Sequence, residues 1–443
     1  MNILFISLGC DKNLVDTEVM LGMLASRGYQ MVEEETQADV IVINTCCFVH
    51  DAKEESIQNI LEMAEYKKEG RLKALIVTGC LAQRYRQEIL DEIPEVDAVL
   101  GTTAYDKILD AIDEALKGHH TLTLADTDLL PEVETKRLVT TGGHFAYLKI
   151  AEGCDKHCTY CIIPKIRGNF RSVPMEQLLS EAEYLAEQGV KELILVAQET
   201  TLYGKDLYGE KSLHKLLREL CKISGIRWIR ILYCYPEEIY DELIQTIKEE
   251  PKICHYLDLP IQHANDEILK RMGRRTTKQE LIDIISKLRR EIPDIALRTT
   301  LITGFPGETK EQHEELMEFV DEMEFDRLGV FTYSPEEDTA AARMEGQIEE
   351  EVKEERYHQL MAIQAKVSEI RNQELEGSVH TMLVERVEEE KGIRQAVGRI
   401  EIQAPDVDGL TYLEDAQDVQ PGDMIPVRIA QGFAYDLVAE RMD

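Results

Sequence analysis

Cys154, Cys158 and Cys161 follow a C-x3-C-x2-C spacing inside the stretch 152–161. A 4Fe-4S cluster ordinarily takes four thiolates, so a triad leaves one iron without a protein ligand and open for chemistry. A structural zinc site is the alternative. It would want a fourth Cys or His, and His157 lies inside the loop, but directly before Cys158, where joint coordination of one ion is awkward. A second set of cysteines is dispersed in sequence yet placed alike: apolar runs at 3–6, 40–43 and 74–77 lead to Cys10, Cys46 and Cys80. One cysteine after a strand is usually a small core residue. Three at equivalent places, each with glycine or threonine alongside, favour a second metal cluster.

These cysteines need elements to bring them together. In the first 120 residues, apolar strands alternate with helical stretches: one through Leu14, Val15, Val19, Met20 and Leu24, one at about 51–69, and one after Cys80. That alternation makes a parallel sheet, and ligands in such sheets gather beyond the carboxyl ends of the strands. Cys10, Cys46 and Cys80 should therefore converge on one edge. A further helix carries Ile108, Ile112 and Leu116, and a polar segment at 121–143 with Pro131 and Gly142-Gly143 reads as a linker.

A strand at 145–150 then delivers Cys154, and strands recur at about 192–197, 227–234, 255–260, 295–302 and 327–333 with helices between them. A closed barrel of this type needs eight units. Six predict an open, partial (β/α)6 barrel with a wide lateral mouth, suited to a macromolecular substrate. A charged helix at 346–375 should turn Leu360, Ile363, Val367 and Ile370 toward it. Past Gly377, short strand patterns at 381–384, 395–397, 399–402, 421–423 and 424–429 predict a small β-barrel of about five strands. The expected organisation is thus α/β: an N-terminal parallel-sheet domain (1–120), a linker (121–143), a partial barrel with its connecting helix (144–375) and a terminal β-barrel (376–443).

Among the 443 residues, 85 acidic side chains outnumber 50 basic ones, for a formal charge of −35. Such a field repels phosphate and attracts cationic partners, so a basic protein is favoured over free nucleic acid. No stretch has the length of apolar sequence that spans a bilayer, and 1–5 runs straight into a strand rather than a charged leader. No membrane association and a cytoplasmic location are expected. There the ten cysteines are metal ligands or core residues rather than disulfides.

With Tyr160 before its last cysteine, the loop resembles that of the radical S-adenosylmethionine (SAM) enzymes. The resemblance implies that the methionine amino and carboxylate groups of SAM chelate the open iron, that an electron through the cluster yields a 5′-deoxyadenosyl radical, and that the backbone at Tyr160 lies beside adenine. Together with 8–18, Asn44-Thr45-Cys46, Thr78-Gly79-Cys80, 167–172 and the terminal β-barrel, it looks like the methylthiotransferases over essentially the whole chain. That family implies a second 4Fe-4S cluster on Cys10, Cys46 and Cys80, and a terminal TRAM domain that helps bind the target.

The form Cys10-Asp11-Lys12-Asn13, with 52–57 after the second cysteine, resembles the protein-modifying branch; tRNA-modifying relatives carry Gln-Met-Asn after the first cysteine. The branch implies methylthiolation of an aspartate β-carbon in small-subunit ribosomal protein number twelve, with a second SAM supplying the methyl group, and an electron-donor protein and a sulfur source as further partners. Charge supports the choice: 376–443 holds 15 acidic and 6 basic residues, where an RNA-binding module should carry a basic stripe. A tRNA adenosine methylthiotransferase and a non-catalytic Fe-S or RNA-binding module stay as rivals.

Lesser candidates are Gly304 and Gly307, as a close-approach loop against the cofactor or a plain tight turn, and Gln198, Glu199 and Gln262 on the barrel rim, with Gln198 read as a cofactor contact. Arg167 and Arg171 read as cofactor, substrate or RNA contacts against a default of surface salt bridges. Arg271, Arg274 and Arg275 form the densest basic cluster and are the runner-up RNA contact. Cys221, Cys234, Cys254 and Trp228 read as packing, His263 is unassigned, and Cys47 competes with Cys46, which keeps the Asn-Thr-Cys pattern.

Overall fold

The structure is a computed structural model that describes residues 1–131, 136–390, 393–414 and 416–442. Its first sheet contains β1 (Asn2–Ser7), β2 (Gln30–Met31), β3 (Val40–Thr45), β4 (Ala74–Gly79), β5 (Ala98–Leu100) and β6 (Thr121–Thr123), all parallel in the order β2-β1-β3-β4-β5-β6. Every residue of β3 and β4 is buried, because helices cover both faces. Val40 and Val42 pack with the helices Asp11–Ser26 and Ile108–Ala115, while Ile41 and Ile43 pack with His50–Lys68. This is the period-two division of a doubly covered strand. The segment read as a linker contributes β6 and the buried Arg137.

The central sheet contains β7 (Phe145–Lys149), β10 (Glu192–Val196), β11 (Trp228–Ile231), β12 (Ile253–Asp258), β13 (Ala296–Thr303) and β14 (Arg327–Thr332), six parallel strands in the order β14-β13-β12-β11-β10-β7. Between β7 and β10, β8 (Ala151–Glu152) and β9 (Arg171–Ser172) pair antiparallel and fold 167–172 against the cysteine loop. The inner face of the open sheet is not left to solvent. Phe145, Tyr147, Ile194, Val196 and Tyr256 form one cluster with Val15 of the first helix and with Leu383 and Ala404 of the terminal domain.

The terminal domain closes as β15 (Val379–Glu390), β16 (Ile393–Ile400), β17 (Thr411–Leu413), β19 (Leu437–Arg441) and β18 (Met424–Gly432). The runs at 395–397 and 399–402 are not two strands: β16 passes through Gly398, where a Cβ would lie 2.0 Å from the Leu383 carbonyl oxygen. That glycine permits close approach instead of breaking the strand. Residues 421–423 form a turn. The very short β17 and the charge-ended β19 are the strands that the pattern passes over.

Helix Glu350–Glu374 also corrects its reading. Leu360 and Val367 are buried, but Ile370 is 56% exposed and the inward row includes Gln364, Ser368 and Asn372. Their amide nitrogens find backbone partners there: Gln364 donates to the Phe325 carbonyl at 2.8 Å and Asn372 to the Phe433 carbonyl at 2.6 Å. Among the described residues no helix is long and apolar enough to cross a membrane.

Candidate functional site

Cys10, Cys46 and Cys80 leave the carboxyl ends of neighbouring strands β1, β3 and β4. Two glycines allow the loops to close. At Gly9 (φ +89°) a Cβ would lie 2.6 Å from Cys46 Cβ, and at Gly79 (φ +93°) it would lie 2.3 Å from Asn44 Oδ1. A buried polar frame fixes the rest. Asn13 donates to the carbonyls of Leu8 at 3.0 Å and Thr45 at 2.9 Å, Asn44 donates to the Asn13 carbonyl at 2.9 Å, and Ser56 Oγ accepts from the Cys46 N–H at 3.0 Å. Cys10 is exposed, whereas Cys46 and Cys80 are buried. Cys47 is fully buried in the apolar core with Ile43, Ile60 and Met63.

The second triad lies on the loop that follows β8. Gly153 (φ +78°) brings it against Asn169, whose carbonyl oxygen would stand 2.1 Å from a Cβ there. Cys154 N–H donates to the Gly168 carbonyl at 3.2 Å, Thr159 N–H to the Met272 carbonyl at 2.9 Å, and Ala341 N–H to the Thr159 carbonyl at 2.8 Å. Cys154 and Cys158 are buried. His157, in the left-handed region at φ +52°, is exposed on the outside of the turn, away from a joint role with Cys158. Tyr235 OH lies 3.8 Å from Cys158 Sγ, and Arg274 stacks 4.3 Å over the Tyr235 ring.

Burial pushes the Cys46 thiol up to about 12, with Cys80 and Cys10 adding to it, and burial likewise carries Cys154 to about 12. Thiols raised by burial ionise when bound metal supplies the compensating charge. Acceptors are also left over at the carboxyl ends of the central strands. Gln198 Oε1, Glu199 Oε2 and Gln262 Oε1 are buried without a donor among the described residues. They fit a cofactor bearing ammonium and hydroxyl donors, as SAM does. Burial raises Glu199 to about 7. Gln262 and Tyr233 adopt φ of +70° and +59°, strained positions on the same rim.

Arg167 joins the two triads and is not a surface residue. It is 1% exposed. Its guanidinium donates to Asp16 at 2.8 Å, Glu152 at 3.1 Å and Cys80 Sγ at 3.5 Å, and to Asn13 Oδ1. Lys149 binds the same two carboxylates, and Gln198 Nε2 donates to Glu152 at 2.8 Å. Arg171 is buried too, capping the carbonyls of Arg167 and Asn169. Arg274 is buried and donates to the Pro260 carbonyl at 2.8 Å, so the expected basic cluster leaves Arg275 exposed and is no RNA platform.

Tyr160 packs in the cluster of Met272, Phe305 and Tyr333. The neighbouring Gly304 and Gly307 (φ +72° and +77°) make room for side chains of this chain: a Cβ would lie 2.4 Å from Lys353 Cγ at the first and 2.1 Å from Arg271 Nη1 at the second. Cys234 and Cys254 are core residues. His263 is fully buried and accepts from Asn265 N–H at 2.9 Å. Sequence reasoning assigned no role to Asn13, Ser56, Lys149 or Glu152; the polar residues flanking each cysteine were the available signal.

Comparison with known proteins gives three matches in chain order: the uncharacterized protein family UPF0004 over 2–101, the Radical SAM superfamily over 148–320 and the TRAM domain over 377–442. The chain is 61% identical over 438 residues to the ribosomal protein uS12 methylthiotransferase RimO of Lachnoclostridium phytofermentans, covering 99% of each chain. It is 48% identical to the protein of that name from Clostridioides difficile (98% and 97% covered) and 50% to that from Geobacter sulfurreducens (98% and 97%). Among solved structures, the radical SAM methyltransferase TsrM from Kitasatospora setae, with cobalamin and a 4Fe-4S cluster bound, matches at a TM-score of 0.56 and 13% identity, covering 77% of this chain and 73% of that one, a likeness of fold. Full-length identity at this level, the order of the three domains and the two thiol triads agree: the chain belongs to the ribosomal protein uS12 methylthiotransferases, enzymes of the radical SAM superfamily.

Proposed function

We propose that the chain installs a methylthio group on the β-carbon of an aspartate of ribosomal protein uS12, with Cys154, Cys158 and Cys161 holding the radical cluster and Cys10, Cys46 and Cys80 holding the second. The carrying observation is the pairing of two thiol triads through one buried network, in which Arg167 reaches Cys80 from the end of the short helix Ile163–Arg167 that follows the Cys154 loop. When bound, the clusters and SAM supply a 5′-deoxyadenosyl radical and a sulfur for transfer, chemistry suited to a C–H bond with no acidic proton.

The chain's own residues hold and enclose. Asn13, Asn44 and Ser56 fix the strand-end loops, and Arg167 places positive charge against Cys80. The anchors at Gly168, Met272 and Ala341 keep the second loop on the rim of the central sheet. Gln198, Glu199 and Gln262 offer acceptors to SAM, with Tyr160 beside it.

The terminal domain favours a basic protein over tRNA. Its 15 acidic residues outnumber its 6 basic ones, a balance that suits a cationic partner. An electron-donor protein and a sulfur source complete the partners, and the reaction belongs where ribosomal proteins are made, in the cytoplasm.

The reconstituted enzyme, given reductant, SAM and sulfide, should add one methylthio mass to uS12 by mass spectrometry and none to tRNA. Modification of tRNA alone overturns the substrate. Absence of 5′-deoxyadenosine with both clusters loaded overturns the reaction.

A further inference from the structure

The aspartate placed at this site is an anion entering a protein of formal charge −35, and a field of that sign opposes it unless a dedicated cation receives it. Most cations near the triads are committed to neighbours. Arg167 and Lys149 share Asp16 and Glu152, Arg298 lies 2.7 Å from Asp258 and 3.7 Å from Asp408, and Lys156 is paired with Glu238. Arg274 holds a backbone carbonyl beneath Tyr235.

Lys12 differs. It lies two residues beyond Cys10, the exposed thiol of its triad, and its ammonium stands 3.2 Å from the centroid of the Tyr233 ring, just past the carboxyl end of β11. Its carboxylate partner is the adjacent Asp11, at 2.8 Å. An ammonium has three donors, so a pair with Asp11 and an aromatic face leaves capacity for an incoming acceptor. The rest of the surround is uninviting to an anion: Asp11, Asp406 and Tyr233 cluster about Tyr147, whose hydroxyl faces Asp406 Oδ2 at 3.4 Å.

We propose that Lys12 is the substrate-binding cation that receives the carboxylate of the target aspartate, and so sets which residue of the substrate is modified. The inference rests on the function proposed above. Because the β-carbon is bonded directly to the carboxylate carbon, a carboxylate held at Lys12 fixes the reacting carbon beside Cys10. Tyr233, whose ring lies under the ammonium, sits in the left-handed region at φ +59°.

The test is binding of a fluorescent uS12 peptide to the reconstituted holoenzyme by anisotropy, with the target aspartate present or replaced by asparagine, which keeps the size and removes the charge. Wild type should prefer the aspartate peptide on the order of ten- to a hundredfold, the range of a hydrogen bond to a charged group. K12Q should bind both peptides alike, and K12R should restore part of the preference. A purely structural lysine would change both affinities together. A K12Q enzyme that still prefers aspartate, or a wild type that shows no preference while it methylthiolates uS12, overturns the proposal. If K12Q fails to load its clusters, K12R carries the residue-specific test, since it should keep part of the preference, and a K12R enzyme with the full wild-type preference and affinity, or a wild type with no preference, overturns the proposal. Failure of the underlying function reads differently: wild type then transfers no methylthio group to uS12 at all.

Discussion

Arg399 of the terminal barrel donates to Glu192 at the start of β10 across 2.7 Å, with neither side chain exposed and the two 207 positions apart in sequence. Arg230 holds the other carboxylate oxygen at 2.7 Å and also donates to the Glu401 carbonyl at 2.8 Å. The terminal domain is therefore built into the inner face of the central sheet, not tethered beside it. Breaking a buried ion pair by removing one partner costs about 3–5 kcal/mol, because the other charge stays behind. Arg399→Ala should lower the thermal midpoint and expose the terminal domain to limited proteolysis. Unchanged proteolysis would show that the apolar contacts of Leu383 and Ala404 suffice alone.

The same pair gives a pH dependence. Burial opposes ionisation of Glu192, but Arg399 and Arg230 outweigh it and hold the carboxyl below its ordinary range. A carboxyl depressed in the folded state stabilises fully above the unfolded value of about 4.3, and the contribution is lost as pH falls through the folded value. Acid unfolding below about pH 4 should thus be steeper in wild type than in Glu192→Gln. Parallel acid curves for the two proteins would remove Glu192 from the account.

Arg167 makes a sharper case for the site. Burial raises the Cys80 thiol, and the Arg167 guanidinium works against that rise. Arg167→Met removes this help and leaves Lys149 as the cation that Asp16 and Glu152 share. Iron and sulfide analysis should find about half the wild-type content, with the Cys154 loop loaded and the N-terminal triad empty. Full iron content would mean that Arg167 serves the fold and not the cluster.

Much of this site was legible before any coordinates. Strand-end cysteines follow from the alternation of apolar runs and helices, and Gly9 and Gly79 beside them signal close approach. Six strand units in the central region give the open sheet directly. Buried polar chemistry was not legible: Arg167 and Arg274 look like surface arginines until the carboxylates and carbonyls that satisfy them are seen, and those lie far away in sequence. Gln364 and Asn372 broke the helix 350–374 pattern for the same reason. Hydrophobic periodicity reports desolvated carbon and is silent on polar groups that are buried with partners.

Cys46 and Cys47 are adjacent, and the structure separates them. Both lie near Cys80, but only Cys46 also meets the Cys10 loop, at Gly9, while Cys47 packs among Ile43, Ile60 and Met63. Cys46→Ala should lose about half the iron, whereas Cys47→Ala should keep all of it and lose about 1 kcal/mol of stability from the vacated core volume. The opposite pattern would exchange their roles.

Gly9 allows the closure of the N-terminal triad to be tested without touching a ligand. An alanine there must adopt φ +89° and place its Cβ 2.6 Å from Cys46 Cβ and 2.9 Å from Cys46 Sγ. Gly28, at φ +82°, has nothing within 4 Å of the same added atom. Both substitutions meet the left-handed backbone penalty of roughly 1–2 kcal/mol, so strain alone should affect them equally. Only Gly9→Ala forces the Cys10 loop away from Cys46. Gly9→Ala should therefore lose the N-terminal iron while Gly28→Ala retains it at comparable thermal stability, and equal iron contents would show that the triad tolerates displacement of its first loop.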